Sequence, residues 1–246
     1  MRTLRRAYYR LAYYLSWALF FGVGIPFNLV CLPLLLLPRR HGRTMRRALR
    51  SLFDFWMRWF HFSGVVRIHW QGFDAPLTPG TIYIANHPTL IDAPILLSRI
   101  PDAICIFKPA LMRNPAIGPV TILAGYAAGN SGVDMIRDVA AKIAAGQSLV
   151  IFPEGTRTEP GQQVNPLKPG FALIAARAKA PVQLLIIRAP SDLVPRRRPW
   201  WKAPDRAPST VTVSLDRRWP YDPARSPQAL TDAVAAHLVD RLRESA

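Results

Sequence analysis

The chain has 246 residues, half of them hydrophobic, with 32 lysines and arginines against 15 aspartates and glutamates and a formal charge of +17. That length buries one substantial core and leaves little room for a second domain. The cationic excess calls for a polyanion, either nucleic acid or an anionic membrane surface.

The placement of the cations separates the two. Arg2, Arg5, Arg6 and Arg10 precede an apolar run from Leu11 to Leu37, and Arg39, Arg40, Arg43, Arg46, Arg47 and Arg50 follow it. Cations bracketing an apolar segment favour the membrane, and no readable nucleic-acid-binding motif accompanies the charge. The run is long enough to cross a bilayer, for which about 20 residues suffice. Gly22, Gly24, Pro26 and Asn28 fall in its middle, so two half-helices dipping into one leaflet fit as well as one span, and arginines on both flanks agree with such a re-entrant hairpin. A secretory signal is disfavoured by the length of the run and the lack of a small-residue cleavage site before the basic cluster. An ordinary buried helix pair is the soluble alternative.

From Ser51 to Phe62, Phe53, Phe55, Trp56, Trp59 and Phe60 alternate with Asp54 and Arg58, which predicts a helix with a broad aromatic face, suited either to the headgroup level or to the core. Beyond Gly64 the pattern predicts strands over Val65 to Trp70, Thr81 to Ala85, Ala103 to Lys108, Ser148 to Phe152, Val182 to Arg188 and Val211 to Leu215. Helical spacing of Val133, Ile136, Ala140 and Ile143, stopped by Gly146, and the segment Pro169 to Lys179 lie between them. Such alternation implies an α/β fold, a largely parallel mixed sheet flanked by helices. Pro195 to Pro208, with Arg196, Arg197, Arg198, Trp200 and Trp201, reads as an exposed loop whose cations and indoles suit headgroups. Ser226 as N-cap and Pro227 open a closing helix with Leu230, Val234, Leu238 and Leu242 on one face. Cys31 and Cys105 are not placed to pair, which implies a reducing compartment. His41 and His237 read as solvated, and a chain break between His61 and His69 argues against a shared metal, so no metal site is expected.

The chemistry concentrates in Asn86-His87-Pro88-Thr89-Leu90-Ile91-Asp92, directly after a strand, where an α/β sheet meets its ligands. Pro88 suits the first turn of a following helix, whose positive end would keep His87 a neutral base. In an unbroken helix Asp92 would sit about 140° around the axis from His87, at roughly 100° per residue, so the two meet only if His87 lies on the turn and folds back. The carboxylate then fixes the tautomer and stabilises the imidazolium formed on proton uptake. Acyl transfer from a thioester needs little more, because the carbonyl is already activated. A second stretch, Phe152-Pro153-Glu154-Gly155-Thr156-Arg157, also leaves a strand and presents a glycine turn with a guanidinium, suited to a phosphate or an oxyanion.

Together these stretches resemble the glycerolipid acyltransferase family that includes 1-acylglycerol-3-phosphate acyltransferases. Asn86 to Asp92 matches its first block and Phe152 to Arg157 its third. Lys108, Pro115 and Gly118 resemble the spacing between them, and Ala180-Pro181-Val182 resembles the fourth block. The apolar amino-terminal pair is similar to the membrane-docking two-helix motif of bacterial members. The resemblance implies a membrane-associated helical region over residues 1–62 and an acyltransferase α/β domain over 63–246. It implies that His87 takes the proton from the acceptor hydroxyl and Asp92 orients it. Arg157 with Lys108 would hold the acceptor phosphate, and Glu154, Gly155 and Thr156 would shape the turn that positions the glycerol. An apolar tunnel between sheet and helices, open to the bilayer, would take the acyl chain. The co-substrate would be acyl-CoA or acyl carrier protein, the acceptor a lysophospholipid, the partner a membrane lipid, with no further cofactor and no nucleic acid. The expected location is the inner membrane, with the site facing the cytoplasm.

In its second block this chain departs from the family. Ala124 to Asn130 lacks the usual acidic residue and arginine, offering Asn130 as an uncharged donor, and is closer to a sub-branch found beside aryl-polyene or polyketide pathways. Acylation of another lipid, such as lyso-ornithine lipid, is an alternative within the class, and a catalytically silent membrane scaffold is one outside it.

Overall fold

The computed structural model describes residues 2–36, 42–129 and 132–244. Helix α1 (Arg2–Cys31) is one continuous helix of 30 residues running through Pro26 and ending in a 3-10 turn, Leu32–Leu36. Of the two alternatives for the apolar run, one helix or two half-helices, the structure has the single helix. The residues that weaken a helix in isolation here make its tertiary contact. A Cβ on Gly24 would lie 2.9 Å from the Ala116 carbonyl oxygen, so the glycine lets α1 press against that backbone. One turn on, Asn28 Nδ2 donates to Gly24 O (2.8 Å) and Ala116 O (2.7 Å), while Val120 N donates to Asn28 Oδ1 (2.9 Å). Val120 lies in the first turn of a short helix, Gly118–Leu123, so Asn28 caps a helix to which it is not joined in sequence. Asn28→Leu keeps the approximate size of the side chain but orphans that buried N–H, and is expected to cost about 1–3 kcal/mol, read as a lower unfolding midpoint in detergent.

Helix α2 (Gly42–Phe62) begins well before the predicted Ser51 and buries Arg46, Leu49, Phe53, Trp56, Met57 and Phe60. Its aromatic face therefore serves the core, and Phe55 and Phe62 are left exposed on the other side. Trp56 Nε1 and Trp59 Nε1 donate to Ser16 O and Oγ, at 2.8 and 3.0 Å, pinning the two helices together. Arg39, Arg40 and His41 lie outside the described residues. Arg46 is buried and paired with Asp102 Oδ1 at 2.7 Å, so not every arginine flanking the apolar run faces a membrane. The segment Thr3–Leu36 is, by length and composition, apolar enough to cross a membrane, with mean hydropathy 2.2 and only 17% of its apolar window buried.

The sheet follows. Its strands are β1 (Val66–Gln71), β2 (Ile82–Ala85), β3 (Ala103–Phe107), β4 (Ala127–Ala128), β5 (Ser148–Ile151), β6 (Val182–Arg188) and β7 (Ser209–Trp219), in the order β1-β7-β6-β2-β5-β3-β4. Every neighbouring pair is parallel except β6 with β7, which makes the sheet mixed and mostly parallel. The remaining helices are α3 (Asp92–Arg99), α4 (Pro109–Met112), α5 (Gly118–Leu123), α6 (Gly132–Ala144), α7 (Gly170–Ala178) and α8 (Pro227–Arg243). The central strands read as unbroken apolar runs because both faces are covered; in β6, Leu184, Leu185, Ile186 and Ile187 are all buried, each worth roughly 1.5–3 kcal/mol. One hydrophobic cluster runs from Tyr13 and Trp17 of α1 through Phe53 and Trp56 of α2 into the sheet.

Three expectations need correction. Within the predicted exposed loop, Trp200 packs its ring on Trp17 and Phe21 with centroids 5.1 and 5.2 Å apart, and Tyr13 donates its hydroxyl to the Trp200 carbonyl. The large apolar faces of α1 need cover, and Trp200 supplies it; Trp201 stays exposed. The strand predicted as Val211 to Leu215 extends from Ser209 to Trp219, because pairing with β1 on one side and β6 on the other carries it past its apolar centre. His237 is not solvated: Nε2 meets Asp216 Oδ1 at 2.5 Å, and Arg241 Nε donates to Asp216 Oδ2 at 2.9 Å. Burial alone would raise the Asp216 carboxyl, but these two hydrogen bonds outweigh it and hold it below the usual carboxylate range. Ser226 caps α8 as expected, accepting from Ala229 N at 3.1 Å. Cys31 and Cys105 are both buried and unbonded, and burial pushes the Cys105 thiol up to about 12.

Candidate active site

Strands β2, β5 and β3 are adjacent and parallel, so the segments leaving their carboxyl ends converge. From β2 comes His87, from β5 the Phe152–Arg157 turn, and from β3 Lys108. Asn86 extends the β2–β6 pairing by side chain. Its Nδ2 donates to Ile187 O and its Oδ1 accepts from Ile187 N, both at 2.8 Å, one step past the Ala85–Leu185 pair. The backbone at His87 is thereby released from the sheet at a fixed point.

Helix α3 begins at Asp92, so residues 87–91 form a turn and Pro88 is not the first helical residue. The expected helix dipole at His87 is absent, and the positive end of α3 lies instead beside the Asp92 carboxylate, which it favours. The reason lies in Thr89, whose N–H donates to Asp92 Oδ2 (2.7 Å) and whose hydroxyl donates to Oδ1 (2.5 Å), folding the turn on itself. His87 Nδ1 then reaches Asp92 Oδ2 at 2.8 Å. Asp92 is fully buried and the His87 side chain is 17% exposed. Because a carboxylate only accepts, the proton sits on Nδ1 and leaves the Nε2 lone pair free.

The imidazole lies flat on Phe152, with ring centroids 4.0 Å apart and planes 18° from parallel. Its backbone is held from both sides: His87 N donates to Glu154 Oε1 (2.7 Å) and Thr158 N donates to His87 O (2.8 Å). Glu154 is buried, and its oxygens are taken by His87 N, Asn165 N and the Thr158 hydroxyl, so it braces the two loops against each other and shapes the turn from within. Burial pushes its carboxyl above the usual range, opposed by the N–H groups of Asn165 and His87. Each Glu154 oxygen receives one backbone N–H, so in Glu154→Gln the amide nitrogen must confront one of them. A loss of about 1–3 kcal/mol in urea unfolding is expected; an unchanged midpoint would show that the brace is dispensable.

The cations lie on the same loops. Lys108 is exposed, with Nζ 3.4 Å from Thr156 Oγ1. Gly155 takes the left-handed φ of +68°, and a Cβ there would meet Lys168 Nζ at 2.9 Å, which puts a further lysine against the turn. Arg157 spends Nη1 on the carbonyls of Val194 (3.1 Å) and Pro195 (2.8 Å), leaving its other N–H groups without a protein partner among the described residues. Burial lowers its pKa, Asp92 opposing and Arg196 adding, so its charge lies within reach of the His87–Asp92 pair. Asn130 lies outside the described residues. Neither of two cavities, one beside the amino end of α1 and one between α7 and α8, is lined by a residue of this crevice, so neither is the expected acyl tunnel.

Sequence reading missed Thr89, Thr158, Asn165 and Lys168. Only Thr89 carried a local signal, a hydroxyl three residues before an aspartate.

A family model described as Acyltransferase matches residues 67–188, which spans the loops that carry His87, Lys108 and Arg157. The chain belongs to the acyltransferase family. Among curated relatives of this acyltransferase domain, a 1-acyl-sn-glycerol-3-phosphate acyltransferase from Cocos nucifera is 32% identical over 113 residues, covering 43% of this chain and 36% of its own length. One from Helicobacter pylori is 28% identical over 153 residues, covering 60% of each. The chain thus spans between about a third and three fifths of these relatives. The fold is also that of the crystal structure of the 1-acyl-sn-glycerophosphate (LPA) acyltransferase PlsC from Thermotoga maritima, with TM-score 0.72 at 22% identity over 99% of this chain and 98% of that one.

Proposed function

We propose that the chain transfers a fatty acyl group from acyl-CoA or an acyl carrier protein to the free hydroxyl of a lysophospholipid such as 1-acylglycerol-3-phosphate, forming phosphatidate, at the cytoplasmic face of the inner membrane. The observation that carries this reading is the His87–Asp92 pair with a free Nε2 beside the cations on the adjacent loops. His87 Nε2 takes the proton of the acceptor hydroxyl as its oxygen attacks the thioester carbonyl. Asp92 stabilises the imidazolium, which then returns the proton to the departing thiolate. Arg157 and Lys108 hold the acceptor phosphate, and the reaction needs no cofactor beyond the thioester. The names of the relatives support the acceptor class, and the exposed apolar surface of α1 supports a membrane-borne one.

The second block, Ala124 to Asn130, carries no charged side chain, which favours testing a second acceptor class, lyso-ornithine lipid. Membranes containing the protein are supplied with each labelled lysolipid and each donor. Labelled phosphatidate from wild type and none from His87→Ala is the expected outcome. Product only from lyso-ornithine lipid would replace the acceptor but keep the mechanism; equal product from both proteins would defeat it.

A further inference from the structure

The first turns of α1 are chemically odd. Arg5, Arg6 and Arg10 fall within the first three turns of a helix with no acidic residue in its first turn, and the positive helix end favours none of them. Arg5, Arg6 and Arg10, with Arg206 of the 203–207 loop, line a cavity of about 560 Å³ walled by Tyr9 and Tyr13. The side chains of these four arginines make no hydrogen bond or ion pair among the described residues, apart from Arg5 lying over the Tyr9 ring at 5.7 Å. The one acidic residue of the lining, Asp205, is already paired with Arg198 at 3.1 Å. The Tyr13 hydroxyl is spent on the Trp200 carbonyl, so Tyr13 offers the cavity ring surface.

We propose that this cavity binds an organic ligand carrying two or more phosphate charges, at a site separate from the acyl-transfer crevice, with which it shares no lining residue. Four guanidiniums without a hydrogen bond among the described residues, of which Arg10 also feels the Asp205 charge, line one cavity, and the guanidinium fork matches phosphate oxygens. The volume lies within the roughly 300–1,000 Å³ of small-molecule sites and exceeds what a bare phosphate fills. At about 100° per residue, Tyr9, Tyr13, Arg6 and Arg10 lie on the opposite side of α1 from the exposed Leu4, Leu11 and Leu15. The cavity is therefore not part of the surface that α1 turns to lipid tails. The matching chemistry occurs in two sources, the phosphorylated nucleotide end of a soluble thioester and a multiply charged phospholipid headgroup.

The test uses the full chain, the double variant Arg6→Gln/Arg10→Gln, the loop variant Arg206→Gln, and a control, Arg137→Gln/Arg225→Gln, that removes two positive charges elsewhere. Titration calorimetry with adenosine 3′,5′-diphosphate probes the soluble source. Flotation with phosphatidylcholine vesicles, with and without phosphatidate, probes the lipid source. Binding in either arm that weakens about 10-fold or more in both cavity variants but not in the control supports the site and names its source. Absence of binding in both arms, or equal weakening in the control, overturns it. Circular dichroism identifies any variant that fails to fold, and either cavity variant alone then suffices.

Discussion

Replacing His87 by alanine is expected to slow acyl transfer by about 10²–10⁴-fold, the scale of a lost general base. The loss should fall on kcat, because the side chain touches Asp92 and Phe152 and none of the cations that would hold the acceptor. Stability should change little, since the turn around Asp92 is closed by Thr89 through two hydrogen bonds of its own. Initial rates at saturating acceptor, normalised to folded protein, check this. A fall of less than about tenfold would remove His87 from the role of base.

Asp92 permits a sharper experiment, because its two oxygens are not equivalent. Oδ2 accepts from both His87 Nδ1 and the Thr89 N–H, whereas Oδ1 meets the Thr89 hydroxyl, which can turn to accept. In Asp92→Asn the backbone N–H of Thr89 therefore selects the amide oxygen for the Oδ2 position, and the amide nitrogen donates to the hydroxyl. The imidazole keeps its tautomer and loses only the negative charge. In the serine-protease triad, by contrast, the equivalent change imposes the wrong tautomer and costs about 10⁴ in kcat. A smaller loss, of about 10²-fold, is expected here, the scale of one removed charge-stabilising group. Asp92→Ala should be worse on both counts, losing orientation and leaving the buried Thr89 N–H unsatisfied at about 1–3 kcal/mol. Equal rates for the two variants would mean that the turn does not choose the amide orientation.

How far the site was legible in sequence depended on whether a residue's partner was near in the chain. Spacing made the His87–Asp92 meeting conditional on a turn between them, the family resemblance implied that they meet, and the turn is there. The strands of the parallel sheet were legible because burial on both faces writes unbroken apolar runs, as in β6. The bracing partners of Glu154 were not legible, because its donors, His87 N and Asn165 N, come from elsewhere in the chain and leave no local trace. Whether the run breaks at Gly24, Pro26 and Asn28 stayed open in the sequence for the same reason: each weakens an isolated helix, and the compensating surface by α5 lies some 90 residues away, the Asn28 to Ala116 bond spanning 88 positions. Likewise Trp200 reads as a headgroup contact until Trp17 is known to stand opposite.

Trp200 sits six residues after Val194, whose carbonyl holds Arg157 and accepts from Leu90 N beside the catalytic turn. A single short stretch therefore grips both α1 and the loops around His87 and Arg157, while Asn28 fastens the far end of the same helix to Ala116 and α5. Fixed at two points, α1 cannot shift along its axis without carrying the imidazole with it. A membrane that gripped the apolar face of α1 would therefore hold the crevice at a set height, with the helix as a rigid strut.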